Sequence, residues 1–575
     1  VVETEQERRT RRVASLKSER TPFDTEWKDL ARQVAPQAGR FLPSTDPNRD
    51  RNSLRGSILN PAAGIALRAL SAGFMSGVTN PAMPWVMFKM ADPDLNRYKP
   101  VKEWLDIAKI TMMEWKLKSN IYAIYPKVYR DIGLFATGGM GIMETRLGDG
   151  IRATHFPIGS FCIGVDHEGR VNTAVREYKM TCEQMVGEFG KDKVSSPVKT
   201  AYERGNYDQW FDVVWMVEPN PKRREGGFLS KDLPFISIKW EPTEKGEPLS
   251  EKGYHEFPLM FPRWDVEGES AWGTDCPGMM AFGSTKSLQT REKEGLNALH
   301  KAVNPPMAGP VGMERPSLIP GSVTIEPQGP GQGFRAAVQI DPHYREMRES
   351  CAEVVQDIRS IFFSDLFLML TNSTDHNKTA YEVAQLQQEK LQQLGPVSIR
   401  VNDELLDQDV MRTFGILQRA GALPPPPPEM QDAIMTIEYI TTMSQALKSV
   451  GITGIERLYQ FAGGLVPIFG ATILDKFNTD ESIDQYAERI GTPPAIVRDK
   501  KEVDTLRQDR AQQQQMAQMA QNVAGMAQVG KTLSETNVTD PSALTQIQAA
   551  MQGGGALPGA SGVMASPMQG GVPNG

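Results

Sequence analysis

Apolar positions along this chain follow two different periods. Across Lys102 to Lys118, Trp104, Leu105, Ile107, Ala108 and Met112 fall at the three- and four-residue steps of one helical face. Upstream, Thr21-Pro22-Phe23-Asp24 predicts a helix start running to about Val34, because Thr can cap and Pro suits the first turn. Asn60-Pro61 opens a second, apolar helix that ends near Asn80-Pro81. From Gly150 the period shortens. Ile158 to Val165, Arg170 to Tyr178, Phe211 to Val217 and Phe235 to Trp240 read as strands of a twisted antiparallel sheet, with Asp166-His167-Glu168-Gly169 as a hairpin turn.

After Gly283 the helical period returns through Leu288, Leu296, Leu299 and Val303, and a Pro- and Gly-rich insert from Asn304 to about Gly333 interrupts it. Asp341-Pro342 restarts a helix whose stripe is Tyr344, Met347, Cys351, Val354 or Val355, Ile358 and Phe362. A polar loop follows, Asn372-Ser373-Thr374-Asp375-His376-Asn377, and Thr379 with Glu382 forms a capping box for the next helix. That helix reads to about Ala420, roughly 60 Å at 1.5 Å per residue, with a kink expected at Gly395-Pro396. Pro424 to Pro428 end it as a stiff spacer. Leu458 to Leu474 reads as a buried helix and loop, since Gln460, two glycines and Pro467 interrupt what is too short for a membrane span. Helix continues to about Arg510, including Ile483, Tyr486, Ala487 and Ile490. A Gln-, Met- and Gly-rich tail follows, its last part expected to be mobile.

Composition narrows the function classes. The 575 residues carry 63 Lys plus Arg against 70 Asp plus Glu, a formal charge of −7, which argues against a protein that coats nucleic acid but leaves room for DNA passing nearby. At 40% hydrophobic the chain can bury real cores, about four units by length. Four scattered cysteines suggest neither a disulfide framework nor a zinc site, and the opening residues show no apolar leader, so a reducing compartment is expected.

Catalytic signatures are missing from the sequence. No Gly-x-x-x-x-Gly-Lys-Ser/Thr, Gly-x-Ser-x-Gly or His-Glu-x-x-His occurs. Thr137-Gly138-Gly139-Met140-Gly141 lacks the Lys and helix of a phosphate loop and reads as a turn that uses positive φ. His155, Asp166, His167 and Glu168 are the densest imidazole and carboxylate group, better explained by a hairpin than by a metal or a general base. Cys351 lies on the apolar stripe as packing. No enzyme, cofactor or metal is expected.

The order of parts then becomes informative: helix, insert, helix, polar loop, long kinked helix. Together with Trp27-Lys28-Asp29-Leu30 to Pro36, Gly139-Met140-Gly141-Ile142, Phe156-Pro157-Ile158-Gly159-Ser160-Phe161 and Gln485-Tyr486-Ala487-Glu488-Arg489-Ile490-Gly491-Thr492-Pro493-Pro494, it resembles the portal proteins, or head-to-tail connectors, of short-tailed bacteriophages. The resemblance implies an α+β, predominantly helical fold. Its parts would be N-terminal helices and wing at 1–283, first stem helix at 284–303, clip at 304–340, second stem helix at 341–367, tunnel loop at 368–378, long kinked helix at 379–423, helical crown at 424–510 and tail at 511–575.

It further implies a ring of twelve at one capsid vertex with double-stranded DNA on its axis. Implied partners are major capsid and scaffolding proteins, the terminase large subunit, and tail adaptor and internal core proteins, with no membrane. Candidate channel residues are Lys378, His376, Asn377 and Asn372. Lys286, Arg291, Lys293 and Lys301 on the first stem helix would meet DNA or, more simply, acids of a neighbouring subunit. Arg8, Arg9, Arg11 and Arg12 would meet capsid or DNA, or form a solvated helix end. An acidic balance suits a pore that must pass DNA without holding it, because each neutralised phosphate adds salt-dependent affinity. From Asp341 to Phe363 the count is three Arg against five acids, or −2. The alternatives are a helical scaffold or tail-tube protein and, more distantly, an enzyme built on His155 and His167.

Overall fold

The computed structural model describes residues 4–40, 58–145, 148–224, 226, 229–242, 248–308, 335–336, 344–371, 393–430, 433–441, 458–464, 477–490, 498 and 500–535. The chain divides into two compact units, Val1–Val497 and Arg498–Gly575. The class is α+β and predominantly helical, as expected.

Helix α1, Glu5–Val34, opens on a capping box in which the Thr4 hydroxyl accepts from the Glu7 amide and the Glu7 carboxylate accepts from the Thr4 amide. This corrects the expected start at Thr21-Pro22. Pro22 lies inside the helix, and the Thr21 hydroxyl turns back to donate to the Lys17 carbonyl at 2.9 Å. Burial of Leu16, Trp27, Leu30 and Val34 along one face holds the helix across the proline, with Trp27 stacked on Phe23 at 5.5 Å and edge-on to Trp272 at 5.0 Å. Helix α2, Ala62–Gly77, starts where predicted, the Asn60 side chain accepting from the Ala62 amide. It packs on α4, Ile121–Phe135, which follows β1, Val86–Met90, and α3, Lys99–Lys118. Leu67, Leu70, Phe74, Val128, Tyr129 and Ile132 fill that contact.

Two antiparallel sheets follow. In the smaller, β2 (Met140–Glu144) lies between β3 (Ile151–His155) and β9 (Leu259–Met260). The larger has five strands in chain order: β4 (Phe161–Val165), β5 (Val171–Thr181), β6 (Trp210–Pro219), β7 (Phe235–Trp240) and β8 (Ser250–Tyr254). The hairpin at Asp166 to Gly169 is present: the Asp166 carboxylate accepts from the amides of Glu168 and Arg170 at 2.9 Å each, and Gly169 takes φ of 78°. Val13 and Leu16 of α1 cover one face of this sheet through Cys162, Val175, Val214 and Ile238, whereas Ile163, Ala174, Trp215 and Val217 join the main core. Both faces are therefore buried, which explains near-continuous apolar runs such as Val213 to Val217.

The Gly138-Gly139 turn is structural, for a different reason from the one expected. Neither glycine has positive φ; a Cβ on Gly138 would stand 2.9 Å from a Val128 methyl carbon, and one on Gly139 2.9 Å from the Phe161 ring. Close packing, not backbone conformation, selects glycine there.

Helix α5, Phe282–Val303, is followed by a strand pair, β10 (Met307–Ala308) with β11 (Arg335–Ala336), so the two ends of the insert meet. Helix α6, Tyr344–Ile361, comes next. The helix expected over 341–367 is not continuous: Phe363 takes φ of 53°, the Ser364 hydroxyl donates to the Arg359 carbonyl, and α7, Ser364–Thr371, runs into the segment expected to be a loop. Asn372, His376, Asn377, Lys378 and the capping pair Thr379 and Glu382 lie outside the described residues.

Downstream, Leu394 forms a break just before Gly395-Pro396, and α8, Gly395–Val401, passes through a π-helical turn, Asn402–Asp407, into α9, Gln408–Arg419. Gly421 ends it at φ of 65°. The expectation of an all-helical 424–510 is corrected by β12, Met435–Tyr439, which pairs antiparallel with β1. In residues 458–464, helical as expected, Ala462 is buried but Leu458 and Phe461 are exposed. Helix α10, Thr479–Ile490, belongs to the same unit. In the second unit, helix α11, Lys500–Glu535, crosses the boundary expected at 510.

Candidate functional site

The region expected to carry function is the α5–α6 hairpin, and its placement can be built from four local devices. Gly295 on α5 makes room for the Met347 side chain of α6, which any Cβ would overlap. Four residues earlier, the Arg291 guanidinium donates to the Ser350 hydroxyl at 2.6 Å. These two contacts fix the antiparallel register. At the root, the Gln289 carbonyl accepts from the amides of Leu59 and Asn60 at 2.8 and 3.0 Å, its amide donates to the Asn60 carbonyl at 2.6 Å, and Asn60 donates to Glu292 at 2.9 Å. On the other side Cys351, Ile358 and Phe362 are buried in the core to which α2 belongs, with Phe367 of α7 lying over Gly73 and 6.2 Å from Phe74.

A second assembly holds the chain that returns after residue 392. Glu404, on the π-helical turn, receives the Arg263 guanidinium, with contacts of 3.1 Å at Nε and 2.6 Å at Nη2, and accepts from the Arg263 amide at 2.8 Å. Asp407, one further turn on, accepts from the Tyr439 hydroxyl of β12. Asp409 of α9 is fully buried. It accepts from Lys116 Nζ of α3 at 2.8 Å, from the Tyr125 hydroxyl of α4, and from the Thr413 hydroxyl at 3.1 Å. Lys116 also lies 4.5 Å from the centre of the Trp85 ring, a cation–π contact. Arg412 and Arg419 both reach Glu256 and Glu144. The strut from Gly395 to Arg419 is thus tied by charge to α3, α4, β2, β12 and the segment after β8.

Burial pushes the Lys116 amine down despite Asp409, and it pushes the Tyr125 hydroxyl well up, so that hydroxyl stays a donor. Burial also raises Glu256, but hydrogen bonds and charge from Arg419 and Arg412 outweigh it and hold the carboxyl below its ordinary value.

The other expected residues separate in the structure. Lys286, Lys293 and Lys301 are exposed on α5, while Arg291 is committed to Ser350 within the hairpin. Arg8 and Arg9 converge on Glu218 of β6, which gives those two an acidic partner within the subunit. His167 is exposed on the β4–β5 hairpin, whereas His155 is bonded to buried Asp131 at 2.7 Å, with Arg130 on the other carboxylate oxygen. The two imidazoles do not share a site. Among the described residues no group of three or more His, Cys, Asp or Glu could hold a metal, and no helix is long and apolar enough to cross a membrane. All four cysteines are free and buried, Cys351 on its packed stripe. Sequence reasoning missed the strut network. The available signal was charge inside apolar runs: Lys116 beside Met112, Met113 and Trp115, and Asp409 with Arg412 among Val410, Ile416 and Leu417.

A helical hairpin with an insert between its helices, and a charged strut elsewhere in the same unit, are the arrangement on which the comparisons with known proteins bear. The chain belongs to the bacteriophage head to tail connecting protein family, whose model matches residues 6–497, the extent of the first compact unit almost to the residue. It is 41% identical to the portal protein of Salmonella phage epsilon15 over 95% of this chain and 98% of that one. It is also 33% identical to the probable portal protein of Bordetella phage BPP-1, over 96% and 99%.

Two predictions follow from the strut. Lys116→Met alone removes the counter-ion of the buried Asp409 side chain, and should cost about 3–5 kcal/mol of unfolding free energy. Lys116→Met with Asp409→Leu should recover most of that, short of the acceptor lost to Tyr125 and Thr413, as read by denaturant unfolding. For Glu256 the folded pKa lies below the unfolded one, so the unfolded chain binds the extra proton. Its contribution is complete above the ordinary value of 4.5 and is lost as pH falls through the lowered one. Thermal midpoints of the unmodified protein should therefore drop more steeply below about pH 4.5 than those of Glu256→Gln.

Proposed function

We propose that this chain is the portal subunit of a phage head: it closes into a ring of about twelve at one capsid vertex, through which double-stranded DNA enters during packaging and leaves during ejection. The observation that carries the reading is the end-to-end match to two portal proteins. On this reading α5 and α6 form the stem, the insert between them the clip, and the segment that follows α7, up to residue 378, the tunnel loop. The clip would dock the terminase large subunit and later the tail adaptors, while capsid, scaffolding and internal core proteins would meet other faces, first in host cytoplasm and finally in the virion. The protein would be structural, with the energy for packaging supplied by the terminase. A chain charge of −7 suits a conduit that does not retain its cargo.

The test is native mass spectrometry with negative-stain imaging of the purified protein. A species of about 760 kDa, twelve times the 63.7 kDa chain, with an axial hole for a duplex about 20 Å wide supports the reading. A stable dimer or an open filament under every salt condition would favour a scaffold or tail-tube protein instead. Lys378, with His376, Asn377 and Asn372 beside it, is proposed as the DNA collar. Lys378→Ala should leave ring assembly intact and lower packaged DNA per head; unchanged packaging removes Lys378 from the channel.

A further inference from the structure

The α5–α6 hairpin carries a charge pattern that the subunit itself uses only in part. On α5, Lys286 and Lys293 are exposed and seven residues apart, almost two full helical turns, so they stand on one face. On α6, Glu346, Glu349, Glu353 and Asp357 are exposed and follow one another by three, four and four residues, again one face. That acidic face lies opposite the packed stripe of Met347, Cys351, Ile358 and Phe362. Glu349 is held by Arg345 at 3.1 Å. Lys286, Lys293, Glu353 and Asp357 have no oppositely charged partner among the described residues.

The two faces also match in height. Arg291 stands level with Ser350, and Gly295 with Met347. Antiparallel register then puts Lys286 level with Glu353 and Asp357, and Lys293 level with Glu346 and Glu349. On both helices the two levels are about 10 Å apart. Rotation about an axis parallel to the hairpin leaves every residue at its own level, so each lysine of one copy meets carboxylates when brought beside a second copy.

We propose that the basic face of α5 in one copy docks on the acidic face of α6 in the next. Lys286 sits between Glu353 and Asp357, and Lys293 between Glu346 and Glu349. The contact uses different faces on the two partners, so it propagates from copy to copy and closes only as a ring. Each exposed pair is weak alone, but every interface repeats both levels. The pattern also selects register, because turning either hairpin to present the same helix face sets like charges together. The proposal rests on the ring reading above.

Two variants test it: Lys286→Glu with Lys293→Glu, and Glu346→Lys with Glu353→Lys and Asp357→Lys, each checked for folding by circular dichroism. At low salt neither should form rings alone by native mass spectrometry, and an equimolar mixture should form rings of alternating subunits, since every α5 then faces opposite charge. Rings at unmodified yield from either variant alone, or none from the folded mixture while the unmodified protein forms them, would overturn the pairing. So would an α5 variant that assembles normally but loses binding to a duplex of mixed sequence, which would place the lysines on DNA. Failure of the unmodified protein to form any ring removes the ring reading, and the pairing with it. If reversal prevents folding, Lys286→Gln with Lys293→Gln should lower ring yield and flatten its salt dependence; an unchanged yield and dependence would overturn the pairing.

Discussion

The buried pair of Lys116 and Asp409 is the constraint on which the largest share of this architecture depends. It joins α3 to α9 across 293 residues of sequence at full burial, and Tyr125 and Thr413 complete the coordination of the carboxylate. A lone charge in such a place would cost several kcal/mol, so both ends must arrive together. That requirement fixes where the chain returns after the segment at 372–392. The returning strut then brings Glu404 to Arg263, and Arg412 and Arg419 to Glu256, so the sheet strands and the helical layer share one frame.

The hairpin is seated by contacts of its own. Gln289 and Asn60 bolt α5 to the entrance of α2, and Phe367 over Gly73 seats α7 on the same helix. On the ring reading, what matters is that repeated copies present identical heights and faces. Rigid roots with exposed, patterned outer faces provide that.

Much of this was legible from periodicity. The steps through Leu288, and through Cys351, Ile358 and Phe362, located both hairpin helices, and the Asp166 to Gly169 turn was readable because a carboxylate and a glycine satisfy a two-strand reversal locally. The misses have common causes. Pro22 looked like a start because local rules ignore the burial of Trp27 and Leu30 that carries α1 through it. The break at Phe363 carries no glycine or proline to announce it. β12 was invisible because its partner, β1, lies 345 residues or more away for every pair in the ladder. The charged strut carries no local signal for the same reason: Lys116 and Asp409 acquire meaning only together, and 293 residues separate them.

One feature of the strut bears on how such a chain tolerates change. A π-helical turn holds one residue more than the regular turn around it, and here it spans Asn402–Asp407, just ahead of Asp409. Deleting a single residue from Asn402–Asp407 would restore an ordinary helix and would look harmless by composition. The regular turn left behind would cover nearly the same rotation with one residue fewer, so the helix beyond it would keep its phase and Asp409 its approach to Lys116. The turn therefore marks a place where this chain can lose a residue without turning the helix that follows, and descendants of this chain can differ there in length as well as in letters.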